Sequence, residues 1–371
     1  MKINKSNENK LGFVIRKLRI EKSIGQRELA KKLNISASYL NDIEKNKRQS
    51  PSSEVIEKLS TILEVKKEFL FDLTANKKIP VDIEKYLIEN QKLISLIRSL
   101  KENNVSELEI ENIQNLIRKK NIKTLIVAAG LGSRLKHHTE NLPKCMLKFN
   151  GKTLLERQLE VYQNCGIKNI SLVRGYKKNK INYKNIKYFD NDNYENNNIL
   201  NSIFYGEEVI NGDIIIAYSD ILFNDTVVSR LMESSHDISI VVDIDWRGYY
   251  VNRKDHPIEE AENVIFNANN EVVKIGKIGT EKQDVHGEFI GMMKLNDNGC
   301  RIFKDNFHRV KKLYWGKPFQ RAKTFQKSYL TDMLQELVDI GFKVHCVIIE
   351  KGWKEIDTVE DYQKSLIEFN E

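Results

Sequence analysis

At 371 residues, with 40% hydrophobic and 30% charged side chains, the chain has the make-up of an ordinary globular protein and room for two domains. No apolar run approaches the roughly 20 residues that cross a bilayer, and the opening MKINKSNENK lacks the apolar stretch of a signal peptide, so a cytoplasmic protein with no membrane partner is expected. The net charge of +8 and a pI near 9.0 admit nucleic acid or polyphosphate as partners without requiring either.

Cys145, Cys165, Cys300 and Cys346 are widely scattered with no C-x-x-C pair and read as free thiols. The seven histidines show no H-E-x-x-H spacing, and His137-His138 reads as a solvated pair in a polar loop.

Residues 11–74 read as short amphipathic helices joined by tight polar turns. Gln26 opens a helix whose apolar face is Leu29, Ala30 and Leu33. A turn follows at Asn34, Ser36 caps the next helix, and Tyr39, Leu40 and Ile43 form its inward stripe. The segment QRELAKKLNISASYLNDIEKNKRQSPSSEVIEKLSTILEV resembles the Cro/C1-type (xenobiotic-response-element) repressors over about 65 residues, which gives an all-α helix-turn-helix domain over residues 1–76. The resemblance implies that Ser36, Ala37, Ser38, Asn41 and Lys45 face the major groove of a double-stranded DNA operator. It implies that Gln26 holds a phosphate, and that the module works as a homodimer. A helical domain kept only for assembly is the alternative. The groove-facing side chains are short and include no arginine, whereas Lys31, Lys32, Lys45, Lys47 and Arg48 leave the polar edge basic.

Residues 77–120 form a helical linker in this reading. In IEKYLIENQKLISLIRSLKE the apolar positions Leu87, Leu93, Ile94, Ile97 and Leu100 recur at helical spacing, and ELEIENIQNLIRKK repeats the pattern after Asn103-Asn104. A dimerising pair and a spacer that buries its stripe within the chain are both open.

From residue 121 to 371, β-branched runs alternate with helical stretches, the signature of a Rossmann-like α/β domain with a mostly parallel mixed sheet. The strand Lys123–Val127 runs into AAGLGSRLKHHTENLPKCML, a glycine-rich turn suited to phosphate. A dinucleotide fingerprint fails because Leu135 stands at the third glycine. A Walker A loop fails because Met146 stands at the first glycine before Gly151-Lys152-Thr153.

The remaining pattern, A-A-G-x-G-x-R-L followed by P-K, resembles the nucleotidyltransferases that include sugar-phosphate nucleotidyltransferases and phosphocholine cytidylyltransferases. By that resemblance Ala128, Ala129, Gly130, Gly132 and Ser133 wrap a triphosphate, and Arg134 and Lys144 carry the charge that stabilises the transition state. Ser219 and Asp220 end the strand DIIIAYSDILF, and Asp357 follows a short strand in GWKEIDTVEDY. In the resembled family two such aspartates hold Mg²⁺, although Asp357 read alone is equally a helix cap.

The segments LVRGYKKNKI, FDNDNYENNNILNSI, ISIVVDIDWRGYY, KIGKIG and HGEFIGMMKL narrow the resemblance to the cytidylyltransferases of phosphonate biosynthesis. That likeness implies CTP as donor and 2-aminoethylphosphonate, 2-hydroxyethylphosphonate or phosphocholine as acceptor. It implies Asn198 and Ser202 at the nucleoside, and Arg174, Asp243, Asp245, Trp246, Tyr250 and Glu288 around the acceptor, with Lys177 and Lys178 as further phosphonate partners. Two other readings stand beside it: a sugar-1-phosphate nucleotidyltransferase using UTP or dTTP, and a transcriptional regulator that only senses a nucleotide.

Overall fold

The computed structural model describes residues 11–47, 51–65, 67–73, 81–107, 109–110, 113, 121–251, 253–277 and 285–368. They fall into two compact units, residues 1–106 and 107–371. Arg48, in the expected basic edge, and most of ELEIENIQNLIRKK lie outside the described residues.

The first unit is helical: α1 (Leu11–Glu21), α2 (Gln26–Leu33), α3 (Ala37–Glu44), α4 (Ser53–Leu63), α5 (Lys67–Leu73), α6 (Val81–Glu89) and α7 (Gln91–Glu102). Leu29, Leu33, Leu40 and Ile43 lock α2 onto α3, and Ile15, Ile56, Leu59 and Leu63 close the core beneath them. The turn between α2 and α3 forms where Asn34 takes a left-handed φ of 57°, and Ser36 Oγ then accepts the Tyr39 amide to cap α3. A buried ion pair fixes the far end of α3: Arg19 donates to both carboxylate oxygens of Glu44, at 2.6 and 3.0 Å. The pattern that read as one helix through residues 83–102 is broken at Asn90. Its backbone leaves the helical region (φ −122°, ψ 79°), and its side-chain amide donates to the Tyr86 carbonyl. No residue of α7 is buried.

The second unit is built on a nine-stranded mixed sheet. Its parallel part runs β5 (Ile186–Asp190), β4 (Asn169–Arg174), β1 (Lys123–Ala128), β6 (Ile214–Tyr218). Of these, β4, β1 and β6 are almost wholly buried, so they read as largely apolar runs, while β5 at the sheet edge is only partly covered. Alternate residues serve opposite faces: Leu125 and Val127 enter one core cluster, Ile126 and Ala128 the other. Beyond β6 the sheet turns antiparallel at β11 (Gly287–Leu295), which also pairs with β8 (Ile238–Asp243) and β9 (Asn263–Phe266). The remaining strands are β10 (Val272–Gly276) on β9 and β12 (His345–Ile349), parallel to β8.

Two small ladders stand apart from the main sheet: β2 (Lys148–Phe149) with β3 (Lys152–Thr153), and β7 (Ile221–Phe223) with β13 (Trp353–Glu355). No described helix is long and apolar enough to cross a membrane.

The Arg19–Glu44 pair is desolvated, with side chains 12% and 3% exposed. Replacing Glu44 with Ala leaves the guanidinium buried without its partner and is expected to destabilise the helical unit by about 3–5 kcal/mol, read as a lower midpoint in denaturant unfolding of the full chain.

Candidate functional site

At the carboxyl edge of β1 and β6 the chain opens a cavity of about 350 Å³, lined from both strands and from the segments around β13 and β11. Ligands collect at such an edge because the loops leaving parallel strands diverge there. Val127 stands opposite Tyr218 in the β1–β6 register, so the loops leaving the two strands, Ala129–Gly130 and Ser219-Asp220, start side by side. Gly132 then turns the first loop with φ +63°. A Cβ there would sit 3.1 Å from the Lys144 Cβ at a left-handed φ, so glycine lets the loop lie this close to that lysine without strain. Pro143 precedes a single 3₁₀ turn that carries Lys144 inward, where it is 8% exposed.

The β7–β13 ladder joins the two distant aspartates. Asp220 immediately precedes β7, Glu355 pairs with Ile221, and the Ile356 amide donates to the Asp220 carbonyl at 2.8 Å. Gly352 immediately precedes β13 with φ +84°, and a Cβ there would meet Asn224 Nδ2 at 2.9 Å. The helix Val359–Glu368 begins just after Asp357, but Thr358 and Asp361 close its first turn. The Thr358 hydroxyl accepts the Asp361 amide, and the Asp361 carboxylate accepts the amide of Thr358. The Asp357 side chain is thereby freed for the cavity.

Lys144 Nζ donates to Asp220 Oδ2 at 2.8 Å and to Asp357 Oδ1 at 2.6 Å, and Arg134 pairs with Asp357 Oδ2. Burial alone would lower the Lys144 pKa, but the charges of Asp220, Asp357 and Glu355 hold it above the ordinary lysine value. Burial would likewise raise Asp357, yet Lys144, His256 and Arg134 hold its carboxyl far below the usual range. Burial pushes Glu355 up, helped by the neighbouring charge of Asp357.

Two observations fit a divalent cation between the aspartates. Asp220 Oδ1 is buried without a hydrogen-bond partner, and an ammonium already bridges the two carboxylates. Carboxylates of this kind suit magnesium, which completes its shell with phosphate oxygens and water.

The cavity gathers Ala128, Ala129, Gly130, Gly132, Ser133, Arg134, Lys144, Asn198, Ser202, Ser219, Asp220, Glu288 and Asp357. Asn198 caps the helix Ile199–Ile203 with its side-chain oxygen and donates to the Lys327 carbonyl, and the Ser202 hydroxyl is held by Asn191 and Asn197.

It does not gather Arg174, Asp243, Asp245, Trp246 or Tyr250. Arg174 is spent on Asp190 and the Ile181 carbonyl. Asp243 is fully buried, accepting from the Trp353 indole and from the amides of Asp245 and Lys351. Asp245 is half exposed against Lys351, and Trp246 is 1% exposed in a satellite core with Tyr249 and Tyr250. Tyr250 nonetheless acts on the cavity, since its hydroxyl donates to Glu288. Lys178 is paired with Asp190 and Asp192, and Lys177 lies near the Tyr176 ring.

Sequence reasoning passed over His256, Glu355, Glu260, Glu262 and Lys277, all of which line the cavity. Glu355 was within reach: two residues before Asp357 along an extended segment, it faces the same side. His256 sits in a polar loop and Lys277 directly follows β10, and no spacing marks either.

On the helical unit Ser36, Ser38 and Lys45 are exposed and Asn41 is half-buried, whereas Ala37, expected at the groove, is half-buried against the helical core. Gln26 donates to Glu44 Oε2 at 3.0 Å, which ties it to the Arg19–Glu44 pair.

The chain therefore joins a helix-turn-helix domain to a nucleotidyltransferase: residues 15–70 match the helix-turn-helix family, and residues 124–268 match the MobA-like NTP transferase domain. Its relatives include the CTP:phosphoglutamine cytidylyltransferase of Campylobacter jejuni, 27% identical over 253 residues, 65% of this chain and 98% of that one. The choline-phosphate cytidylyltransferase of Streptococcus pneumoniae is 34% identical over 119 residues, 31% of this chain and about half (52%) of the relative. The 2-aminoethylphosphonate cytidylyltransferase of Lancefieldella rimae is 30% identical over 107 residues, 27% of this chain and 44% of the relative. Among solved structures, the inositol-1-phosphate CTP transferase of T. maritima and the CTP:phosphocholine cytidylyltransferase of Streptococcus pneumoniae share the fold. Each has a TM-score of 0.51 and 21% identity over 67% of this chain, and they are covered to 96% and 99%.

Two carboxyls on the cavity wall are shifted upward. Burial pushes Glu288 up to about 8, with Glu355 and Asp243 adding to it against the Tyr250 hydrogen bond and the Arg253 charge. Burial pushes Glu262 up to about 7, against its Thr331 hydrogen bond and the Arg321 charge. An unfolded glutamate titrates near 4.3, so the folded chain holds protons that the unfolded chain releases. Stability from these groups is full below about pH 4 and is lost as pH rises toward 8. Denaturant unfolding at a series of pH values is expected to show Glu288→Gln losing less stability than wild type between about pH 5 and 8.

Proposed function

We propose that the second unit transfers the cytidylyl group of CTP to a small phosphate monoester or phosphonate bearing an ammonium group, with release of pyrophosphate. The observation that carries this reading is the meeting of Lys144, Arg134, Asp220 and Asp357 in one cavity beside the glycine turn. The donor nucleotide is taken from three relatives whose names specify cytidylyl transfer.

An acceptor phosphate or phosphonate oxygen is already anionic at neutral pH, so the reaction needs no general base. That oxygen attacks the α-phosphorus of CTP, the new P–O bond forms as the α–β bridge breaks, and the electron pair leaves with pyrophosphate. Lys144 and Arg134 exchange their carboxylate partners for phosphate oxygens and meet the charge that builds on the α-phosphate. Asp220 and Asp357 would hold Mg²⁺, which supplies Lewis-acid neutralisation of that charge. Ala128–Gly130 and Gly132-Ser133 would present backbone to the triphosphate, with Asn198 and Ser202 toward the nucleoside.

Glu288 supports an ammonium-bearing acceptor. Its Oε2 is buried without a hydrogen-bond partner on the wall of the cavity, which Glu262, Tyr218 and Tyr329 also line. A cation completes that carboxylate better than a neutral sugar hydroxyl does. Among the acceptors, 2-aminoethylphosphonate fits this demand best, since its ammonium both donates a hydrogen bond and neutralises the carboxylate; phosphocholine brings the charge without an N–H, and 2-hydroxyethylphosphonate a donor without the charge. The first unit is proposed to bind double-stranded DNA as a homodimer through α3, with Ser38, Asn41 and Lys45 outermost, in a cytoplasmic protein.

The untagged chain, CTP and Mg²⁺ are incubated with each acceptor, with a phosphorylated glutamine and with glucose-1-phosphate, and products are identified by mass. A cytidylylated amine-bearing product is expected, favoured about 10-fold or more over the hydroxyl analogue. Turnover with UTP and a sugar phosphate in its place overturns the reading. Asp220→Ala is expected to cost at least about 10³-fold in kcat with an unchanged circular dichroism spectrum. Because Glu288 is mostly protonated at pH 7, binding of an ammonium acceptor should release a proton to the buffer. Calorimetry in buffers of different ionisation enthalpy is expected to see that release in wild type and not in Glu288→Gln.

A further inference from the structure

One group on the cavity wall has no part in the chemistry above. His256 is buried, its side chain 6% exposed, and its Nδ1 has no hydrogen-bond partner. That nitrogen faces Asp357 Oδ2 at 3.3 Å and Glu355 Oε2 at 3.5 Å. Donor atoms from the three side chains lie within 4.8 Å of one another. Two donors each about 2.1 Å from one ion stand roughly 3.0–3.5 Å apart at octahedral to tetrahedral angles, which is the spacing of the two pairs that include the imidazole.

We propose that His256, Glu355 and Asp357 form a binding site for a divalent cation softer than magnesium, of the manganese–cobalt–zinc group, with an imidazole nitrogen as its distinguishing ligand.

The segment carrying His256 is built to hold it still. Arg253 forms a buried two-bond pair with Asp361, and the amides of Lys254 and Asp255 donate to Glu360, so residues 253–256 are fastened to the first turn of the helix Val359–Glu368. Glu355 reaches the same point from β13. Its Oε2 also accepts from Arg253, which keeps both Asp361 bonds when Glu355 turns to a metal. Asp357 Oδ2 is engaged by Arg134, a half-exposed side chain that is free to leave toward a triphosphate. Binding through Nδ1 requires the tautomer with its proton on Nε2.

Softness gives the site its selectivity. Magnesium is satisfied by carboxylate, phosphate and water, whereas cobalt and zinc gain more from imidazole. Sharing Asp357 with the aspartate pair makes this inference rest on the nucleotidyltransferase reading, and the test separates the two.

The test uses the untagged full-length chain. Pulsed electron paramagnetic resonance of Mn²⁺ bound to wild type is expected to show ¹⁴N modulation from a coordinated imidazole, and the same measurement on Asp220→Asn keeps it. By calorimetry, His256→Gln is expected to weaken Co²⁺ about 10-fold or more while Mg²⁺ changes by less than about 3-fold. Absence of nitrogen coupling in wild type overturns the proposal. So does an equal loss of Co²⁺ and Mg²⁺ affinity in His256→Gln, since a residue that merely positions Asp357 affects both ions alike. If Asp220→Asn leaves Mg²⁺ affinity untouched while the nitrogen coupling persists, the magnesium reading fails and the imidazole site stands.

Discussion

The site depends on a three-residue ladder. Asp220 and Asp357 are 137 positions apart, and neither the long parallel strands nor the glycine turn brings them together. The antiparallel pairing of β7 with β13 does, by placing the residue before one strand beside the residues after the other. Once they are adjacent, two buried carboxylates repel each other and lose hydration, a combination that needs cations nearby. Lys144 and Arg134 provide them, and the fold has put both on loops that leave the same sheet edge. Charge balance and strand pairing thus hold each other in place. Without the ladder the lysine would be buried against one carboxylate, and without the lysine the ladder would press two like charges together.

Much of this was legible in the residues. The glycine turn, the cation after Pro143 and the two aspartates each carry a local signature, and all four lie in the cavity. The helix-turn-helix was equally plain, because Leu29, Leu33, Leu40 and Ile43 repeat at helical spacing around a left-handed Asn34. What escaped was whatever depends on contacts far apart in the chain. Asp243 and Trp246 look like acceptor ligands in a row of polar and aromatic residues, yet the indole of Trp353 occupies one and a satellite core absorbs the other. Nothing near position 243 announces a partner at position 353.

The same limit explains the helical segment after the first domain. The apolar spacing of residues 83–102 is continuous, and the break at Asn90 comes from a side chain turning back to the carbonyl four residues earlier. Asparagine competes with the helix for backbone groups in this way, and periodicity is blind to it. Glu288 is a further case. The family resemblance implied an acceptor contact for it, but its raised pKa follows from complete burial, which outweighs the hydrogen bond from the Tyr250 hydroxyl.

The ion pairs of Lys144 and Arg134 have one more consequence. These cations already possess internal counterions, so under the proposed function a triphosphate would trade places with Asp357 and Asp220 and would not meet bare charge. Such an exchange liberates few dissolved ions. Affinity for the polyphosphate will then decline only gently as salt is added, far less than the strongly basic make-up of the chain would suggest.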